Sequence, residues 1–267
     1  MITPINKIKS LLNEDIVSLF GDEVINNAYI EAYRLTLGLI SNDAILESLL
    51  NSGLSVNRYY TTHTTTSDND AGYFKKGFGE GRKILSVLRK NSDGTDSDDV
   101  YYRADKIPSL HGETRADNIN SIYYENDRWN PKYYIQSSGS IVILPKDSTF
   151  SGEVLPKAKI YWITFPDFSQ SQSEDLEYTF NLTNKNFSTM TINEEGDLFY
   201  GIPSGAKELV YTEMALNLVQ NYIADFVYDE EDTELLSLAQ EHTSMLMAKK
   251  KQLIDFVIPN YSDERQA

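Results

Sequence analysis

The two ends of the chain carry apolar residues at helical spacing, and this spacing disappears in the middle. Near the start, Ile5, Ile8 and Leu12 stand three or four positions apart, which predicts an amphipathic helix. A second helix follows Gly21, with Leu35 and Leu39 on its apolar side, and a short third one spans about residues 42–50. Since no helix can bury its own apolar side, residues 1–53 are expected to pack as a helical part against other helices.

The helical spacing returns at Ser204 and predicts a helical hairpin over residues 203–258. The acidic run 229–232 separates its two helices, and the last helix carries Leu238, Met245 and Leu246 on its apolar side. A polar tail, residues 259–267, begins at a proline. Because both ends of the chain have apolar sides to cover, we expect the hairpin to pack on residues 1–53.

Residues 54–202 show short runs rich in tyrosine and β-branched residues, which predict strands: ILSVLR, DVYYRA, SIYY, KYYIQ, SIVIL and KIYWITF. No helical pattern lies between them to form parallel crossovers, so the sheet is predicted to be antiparallel. Two polar stretches, 57–83 and 167–197, are predicted to be long arms or loops. The predicted fold class is therefore α+β, with N- and C-terminal helices forming a helical bundle and an inserted antiparallel β domain bearing long loops.

The chain has 40 acidic and 24 basic residues, a formal net charge of −16 and no cysteine. The missing cysteines exclude disulfides, thiolate metal sites and a cysteine nucleophile. A surface this acidic does not attract nucleic-acid phosphates or anionic lipid. The longest aliphatic run is four residues, from Ile141 to Leu144, and the N-terminus lacks the apolar core of a secretory signal. We expect a soluble protein without a membrane partner, used inside a cell.

No pattern in the sequence predicts a catalytic residue, a cofactor site or a metal ligand. The glycine-rich stretch 75–83 lacks the GxxxxGK[ST] spacing of a phosphate-binding loop. His63, His111 and His242 stand in no metal-binding spacing, and no GxSxG motif of a serine hydrolase occurs.

The stretch from Asn130 to Pro166, followed by the amphipathic hairpin that begins PSGAKELVYTEMALNLVQNYIADF, resembles tailed-phage head-to-tail connector proteins. These are called adaptor, gatekeeper or neck proteins, and crAss-like phages carry similar ones. The resemblance covers the order of the helical and β segments over most of the chain. It also covers a sequence motif from Ile141 to Pro166, which consists of a strand with I-x-I-x-P, a polar turn and a second strand that ends in aromatic-x-Pro.

The resemblance implies a non-enzymatic structural protein at the neck of the virion. It implies a homo-oligomeric, dodecameric ring beneath the portal protein, with the tail or a second connector ring as the other partner. DNA would pass through the lumen without specific binding, because acidic walls repel phosphate over a screening length of about 10 Å.

Two groups of residues are candidates for partner binding. By analogy with adaptor tails, the last helix and the polar tail would contact the portal, through Lys249, Lys250, Lys251, Tyr261 and Arg265. The second group is a basic island in an acidic chain that is able to dock on an acidic partner, formed by Lys75, Lys76, Arg82 and Lys83.

Three other functions remain open on the sequence. The first is another virion structural protein, such as a tail hub or stabilising protein. The second is an acidic glycan hydrolase that uses two carboxylates. The third is a small binding module with an aromatic pocket around Trp129 and Trp162, although these tryptophans also suit a β core or an interface.

Overall fold

The computed structural model describes twelve segments of the chain: 3–12, 14–51, 57–60, 73–74, 82–90, 100–108, 130–135, 141–144, 158–166, 186–191, 198–227 and 233–257. The chain divides into two compact units. The first consists of Met1–Leu54 and Phe165–Ala267, and the second consists of Ser55–Thr164. The described helices all belong to the first unit and the described strands to the second, so the α+β class is confirmed. Among these residues no helix has the length and apolar character needed to span a bilayer.

The N-terminal helices are α1 (Pro4–Leu11), α2 (Glu14–Ser18), α3 (Asp22–Leu39) and α4 (Asn42–Asn51). Thr3 caps α1 by accepting a hydrogen bond from the Asn6 amide, and proline occupies the first turn, as the sequence predicts. The sequence also predicts one continuous helix up to Gly21. Leu12 leaves the helical conformation, however, and the chain forms two short helices instead.

The C-terminal helices follow a 3₁₀ turn at Ser204–Ala206 and are α5 (Lys207–Tyr222), a π-helical turn (Ile223–Val227) and α6 (Thr233–Val257). Every residue of α5 from Leu209 to Leu216 is buried, a run of more than two turns. Neighbours therefore cover α5 on all sides, and α1, α2, α3 and α6 all pack against it.

One side of α3 contacts two segments from much later in the chain. The Tyr33 hydroxyl donates a hydrogen bond to the Tyr200 carbonyl at 2.5 Å, and the Tyr29 hydroxyl donates to the Leu198 carbonyl. Asn26 Oδ1 accepts from the Phe187 amide at 2.9 Å. Burial raises the pKa of both tyrosine hydroxyls well above the ordinary value, so they remain protonated donors.

These contacts change the predicted boundary of the β domain. The sequence places residues up to 202 in that domain, whereas the second unit ends at Thr164. The described residues after it, including the 3₁₀ turn Phe187–Thr189 in the predicted arm 167–197, join the helical unit because α3 satisfies their backbone groups.

The described strands of the second unit are β1 (Asn57–Tyr60), β2 (Tyr73–Phe74), β3 (Arg82–Lys90), β4 (Tyr101–Arg103), β5 (Asp105–Lys106), β6 (Lys132–Ile135), β7 (Ile141–Leu144) and β8 (Ala158–Thr164). They form two four-stranded sheets. Sheet one has the order β1-β8-β3-β4, and sheet two has the order β2-β7-β6-β5.

The prediction of a purely antiparallel sheet is wrong at one pair of strands. β5 runs parallel to β6, with Asp105 opposite Lys132, and the other pairings are antiparallel. β5 continues directly from β4 past Ala104, so the chain passes from sheet one into sheet two. The long connection from β5 to β6 then gives the chain room to return in the same direction.

The two sheets share one core, in which Val87 and Ile160 of sheet one meet Tyr133, Ile141 and Ile143 of sheet two. Trp162 lies in this core, in agreement with its expected place in the β core, whereas Trp129 falls outside the described residues. The predicted arm 57–83 supplies β1 and β2, one to each sheet.

Candidate functional site

The three consecutive lysines near the C-terminal end of α6 are candidate partner-binding residues, and two of them make ion pairs within the chain. Lys249 Nζ lies 2.6 Å from Glu208 Oε1, and Lys250 Nζ lies 2.6 Å from Glu213 Oε1. Both carboxylates belong to α5, so these lysines attach α6 to α5. Lys251 is exposed and forms no ion pair with the part of the chain that the structure describes.

Glu208 joins three helices through its two oxygens. Lys249 of α6 contacts one oxygen, and Lys7 of α1 lies 3.1 Å from the other. Partial burial acts to raise the pKa of Glu208, but the hydrogen bonds and charges of Lys249 and Lys7 outweigh it and hold the pKa below its ordinary value. The carboxylate is therefore ionised at neutral pH and serves as a structural anion.

The basic island predicted around residues 75–83 is described only in part. Arg82 and Lys83 begin β3, where Lys83 lies opposite Ile163 of β8. Burial lowers the pKa of the half-buried Lys83. Lys75, Lys76, Tyr261 and Arg265 lie outside the described residues. The three lysines of α6 belong to the first unit, and Arg82 and Lys83 of β3 belong to the second.

Within the segments described, no three histidine or acidic side chains gather in a way that could hold a metal ion. His63 and His111 fall outside these segments, and His242 is half-buried on α6. The described residues do include exposed large apolar side chains, several of which lie on two helices of the first unit.

The first such surface is a line on α6, here called the α6 stripe, formed by Leu238, Met245 and Phe256. These side chains are 51%, 59% and 72% exposed. Leu238 and Met245 are about two helical turns apart, and Met245 and Phe256 are about three turns apart, so the three residues share one side of the helix. Leu246, by contrast, is buried, so the packing surface of α6 and its exposed stripe are adjacent but distinct.

The second surface is the outer side of α3, here called the α3 face, formed by Glu31, Leu35, Gly38 and Leu39. Leu35 is 53% exposed and Leu39 is 37% exposed. Gly38 between them is also exposed, and nothing lies within 4 Å of the position where a side chain would begin. The α3 face is thus a shallow apolar notch between two leucines.

The sequence assigns Leu35, Leu39, Leu238 and Met245 to buried apolar sides, and this assignment is wrong for all four. On α3 and α6, apolar residues are spread over a wider part of the helix circumference than the packed helices cover. A sequence in which apolar residues occupy such a wide part of the circumference therefore indicates that some of them are exposed.

Taken with the ion pairs at Glu208 and Glu213, the helical unit presents two exposed apolar faces on helices fixed to a common central helix. No protein-family model, curated protein or solved structure matches this chain.

Proposed function

We propose that this chain is a non-enzymatic virion protein, the subunit of a connector ring that joins the portal to the tail of a tailed phage. In this proposal identical copies form a dodecameric ring, the ring contacts the portal on one side and the tail or a second ring on the other, and DNA passes through its lumen without specific binding. The sequence resemblance to head-to-tail connector proteins motivates the proposal.

The observation that carries the proposal is the α6 stripe. α6 has 25 residues, which corresponds to about 37 Å, and it exposes large apolar side chains along its length. Burying one such side chain fully is worth about 1.5–3 kcal/mol. Contact with another protein would remove these side chains from water, which favours association through this side of the helix.

Charge supports the part of the proposal that concerns DNA. The net charge of −16 gives the walls of a ring built from this chain a negative field. DNA phosphates within about 10 Å of such a wall are repelled, so the duplex slides without binding.

The contacts of α5 support a helical bundle built from both ends of the chain, with the β domain inserted between them. α5 packs against α1 and α3 from the N-terminal part and against α6 from the C-terminal part. In a connector subunit this bundle would form the wall of the ring. Lys251 and the polar tail 259–267 would reach the portal.

The direct test is the position of the chain in the particle. Antibodies raised against the purified protein are used for immunogold electron microscopy of purified particles of the phage that would encode it. We expect gold at the junction between head and tail, and an antibody to the major capsid protein serves as the matched control. Gold at the tail tip would favour a tail-hub protein, and particles that lack the chain would contradict a virion role altogether.

A further inference from the structure

The methionines that the structure describes divide into exposed and buried side chains. Met245 and Met247 of α6 are 59% and 51% exposed. Met214 of α5 is buried, and so is Met190, which follows the 3₁₀ turn Phe187–Thr189. An oxidant dissolved in water reaches the thioether of an exposed methionine directly, whereas a buried thioether reacts only after local opening of the fold. The structure therefore separates two reactive methionines from two protected ones.

Met245 and Met247 differ in their positions around α6. Leu246 between them is buried and faces the packed side of the helix. At about 3.6 residues per turn, positions two apart lie about 200° apart around the axis, so the two methionines flank the packed side on opposite sides. Met245 belongs to the α6 stripe, whereas Met247 does not. One exposed methionine thus lies on the stripe, and the other provides an internal comparison.

Oxidation of Met245 changes the polarity of the α6 stripe at its middle residue. The sulfur lone pair attacks one oxygen of a peroxide, and the O–O bond breaks. The thioether becomes a sulfoxide, and the proton passes to the leaving oxygen, which departs as water or an alcohol. The sulfoxide oxygen accepts hydrogen bonds, so its burial in an apolar contact without a donor costs free energy. The oxidised stripe is therefore no longer apolar along its length.

We propose that Met245 is an oxidation site through which a peroxide weakens the contact made by the α6 stripe. This inference rests on the proposed function, because the contact in question is the one that the stripe makes when copies assemble. Methionine sulfoxide reductases catalyse the reverse reaction, in which two thiols reduce the sulfoxide and the products are the thioether, water and a disulfide. The modification is therefore reversible.

Peptide mapping tests the oxidation site independently of assembly. The wild-type protein is diluted until mass photometry shows monomers and is treated with hydrogen peroxide at a concentration that leaves its circular dichroism unchanged. Proteolytic fragments are weighed after increasing times. We expect Met245 and Met247 to gain an oxygen atom at least about tenfold faster than Met190 and Met214, because the buried sulfurs react only through local opening. Equal rates at the four positions, or an unreacted Met245, would overturn the assignment of the site.

Two leucine variants separate the stripe from the opposite side of the helix. Met245→Leu keeps an apolar side chain of similar volume and removes the sulfur, so we expect it to assemble like the wild type and to remain assembled after peroxide treatment. Met247→Leu is the matched control. It keeps Met245, so its association constant should fall at least about tenfold on oxidation, as that of the wild type does. Reductases for both sulfoxide epimers, supplied with dithiothreitol, should restore assembly of the oxidised wild type.

The outcomes distinguish this inference from the proposed function. If the wild type forms rings that survive selective oxidation of Met245, the ring proposal stands and the present inference fails. If Met245→Leu loses assembly on oxidation as the wild type does, oxidation acts at another residue and the inference also fails. If the wild type stays monomeric at every concentration tested, the ring proposal fails and the regulation of assembly fails with it, whereas peptide mapping alone still decides whether Met245 is an oxidation site.

Discussion

Glu208 connects three helices of the helical unit, because its carboxylate lies on α5 and contacts Lys7 of α1 and Lys249 of α6. Its side chain is 30% exposed, so solvent weakens each pair without removing it. These ion pairs could not be predicted from the sequence, since Lys7 and Lys249 are far apart in the chain. Only the packing of three helices brings them together.

The depressed pKa of Glu208 makes its contribution depend on pH in one direction. The stability it provides is fully present above the ordinary carboxyl pKa of 4.5 and is lost as pH falls from there through the lower pKa of the folded state. Thermal unfolding of the wild type and Glu208→Gln is compared from pH 7 to pH 2. We expect a lower Tm for the variant at pH 7 and converging values in acid. A Tm difference that grows as pH falls would contradict this role.

Tyr29 links α3 to a segment that comes much later in the chain. Tyr29→Phe keeps the ring next to Phe187, at 5.2 Å between centroids, and removes only the hydroxyl that donates to the Leu198 carbonyl. Leaving that buried carbonyl without its donor is expected to lower the free energy of unfolding by about 1–3 kcal/mol. Chemical denaturation measures the change, and a loss below about 0.5 kcal/mol would show that another group satisfies the carbonyl.

At the scale of elements, local signals predicted most helices and strands. The Thr3-Pro4 pair marks the start of α1, and the spacing of β-branched residues and tyrosines marks β3, β6, β7 and β8. Local signals did not predict the break at Leu12 or the parallel pairing of β5, because those depend on the surroundings of the chain. The exposure of Met245 was missed for the same reason, since the spacing of apolar residues does not show how much of a helix its neighbours cover.

Substitutions at two adjacent residues of α6 are expected to affect folding and assembly separately. Leu246 is buried, so Leu246→Ala is expected to lower the free energy of unfolding by about 2–5 kcal/mol. Met245 is exposed, so Met245→Ala should change it by less than about 0.5 kcal/mol and instead weaken assembly. Denaturation and mass photometry measure the two effects. A Met245→Ala variant that assembles as well as the wild type would show that the α6 stripe is not an interface.

At the scale of the whole molecule, the chain combines a strongly negative charge with exposed apolar helix faces. The charge disfavours association between copies, and the apolar faces favour it. In the proposed ring, an acidic lumen and an apolar contact between subunits would use these two properties in separate places.

The central claim is that copies of this chain close into a ring, and electron microscopy of the purified full-length protein tests it most directly. Negative-stain images, with mass photometry of the same sample, are expected to show closed rings with an open centre and a mass near twelve times that of the 30.4 kDa chain. A sample that remains monomeric over the whole concentration range, or that forms only open chains without a closed circle, would contradict the claim.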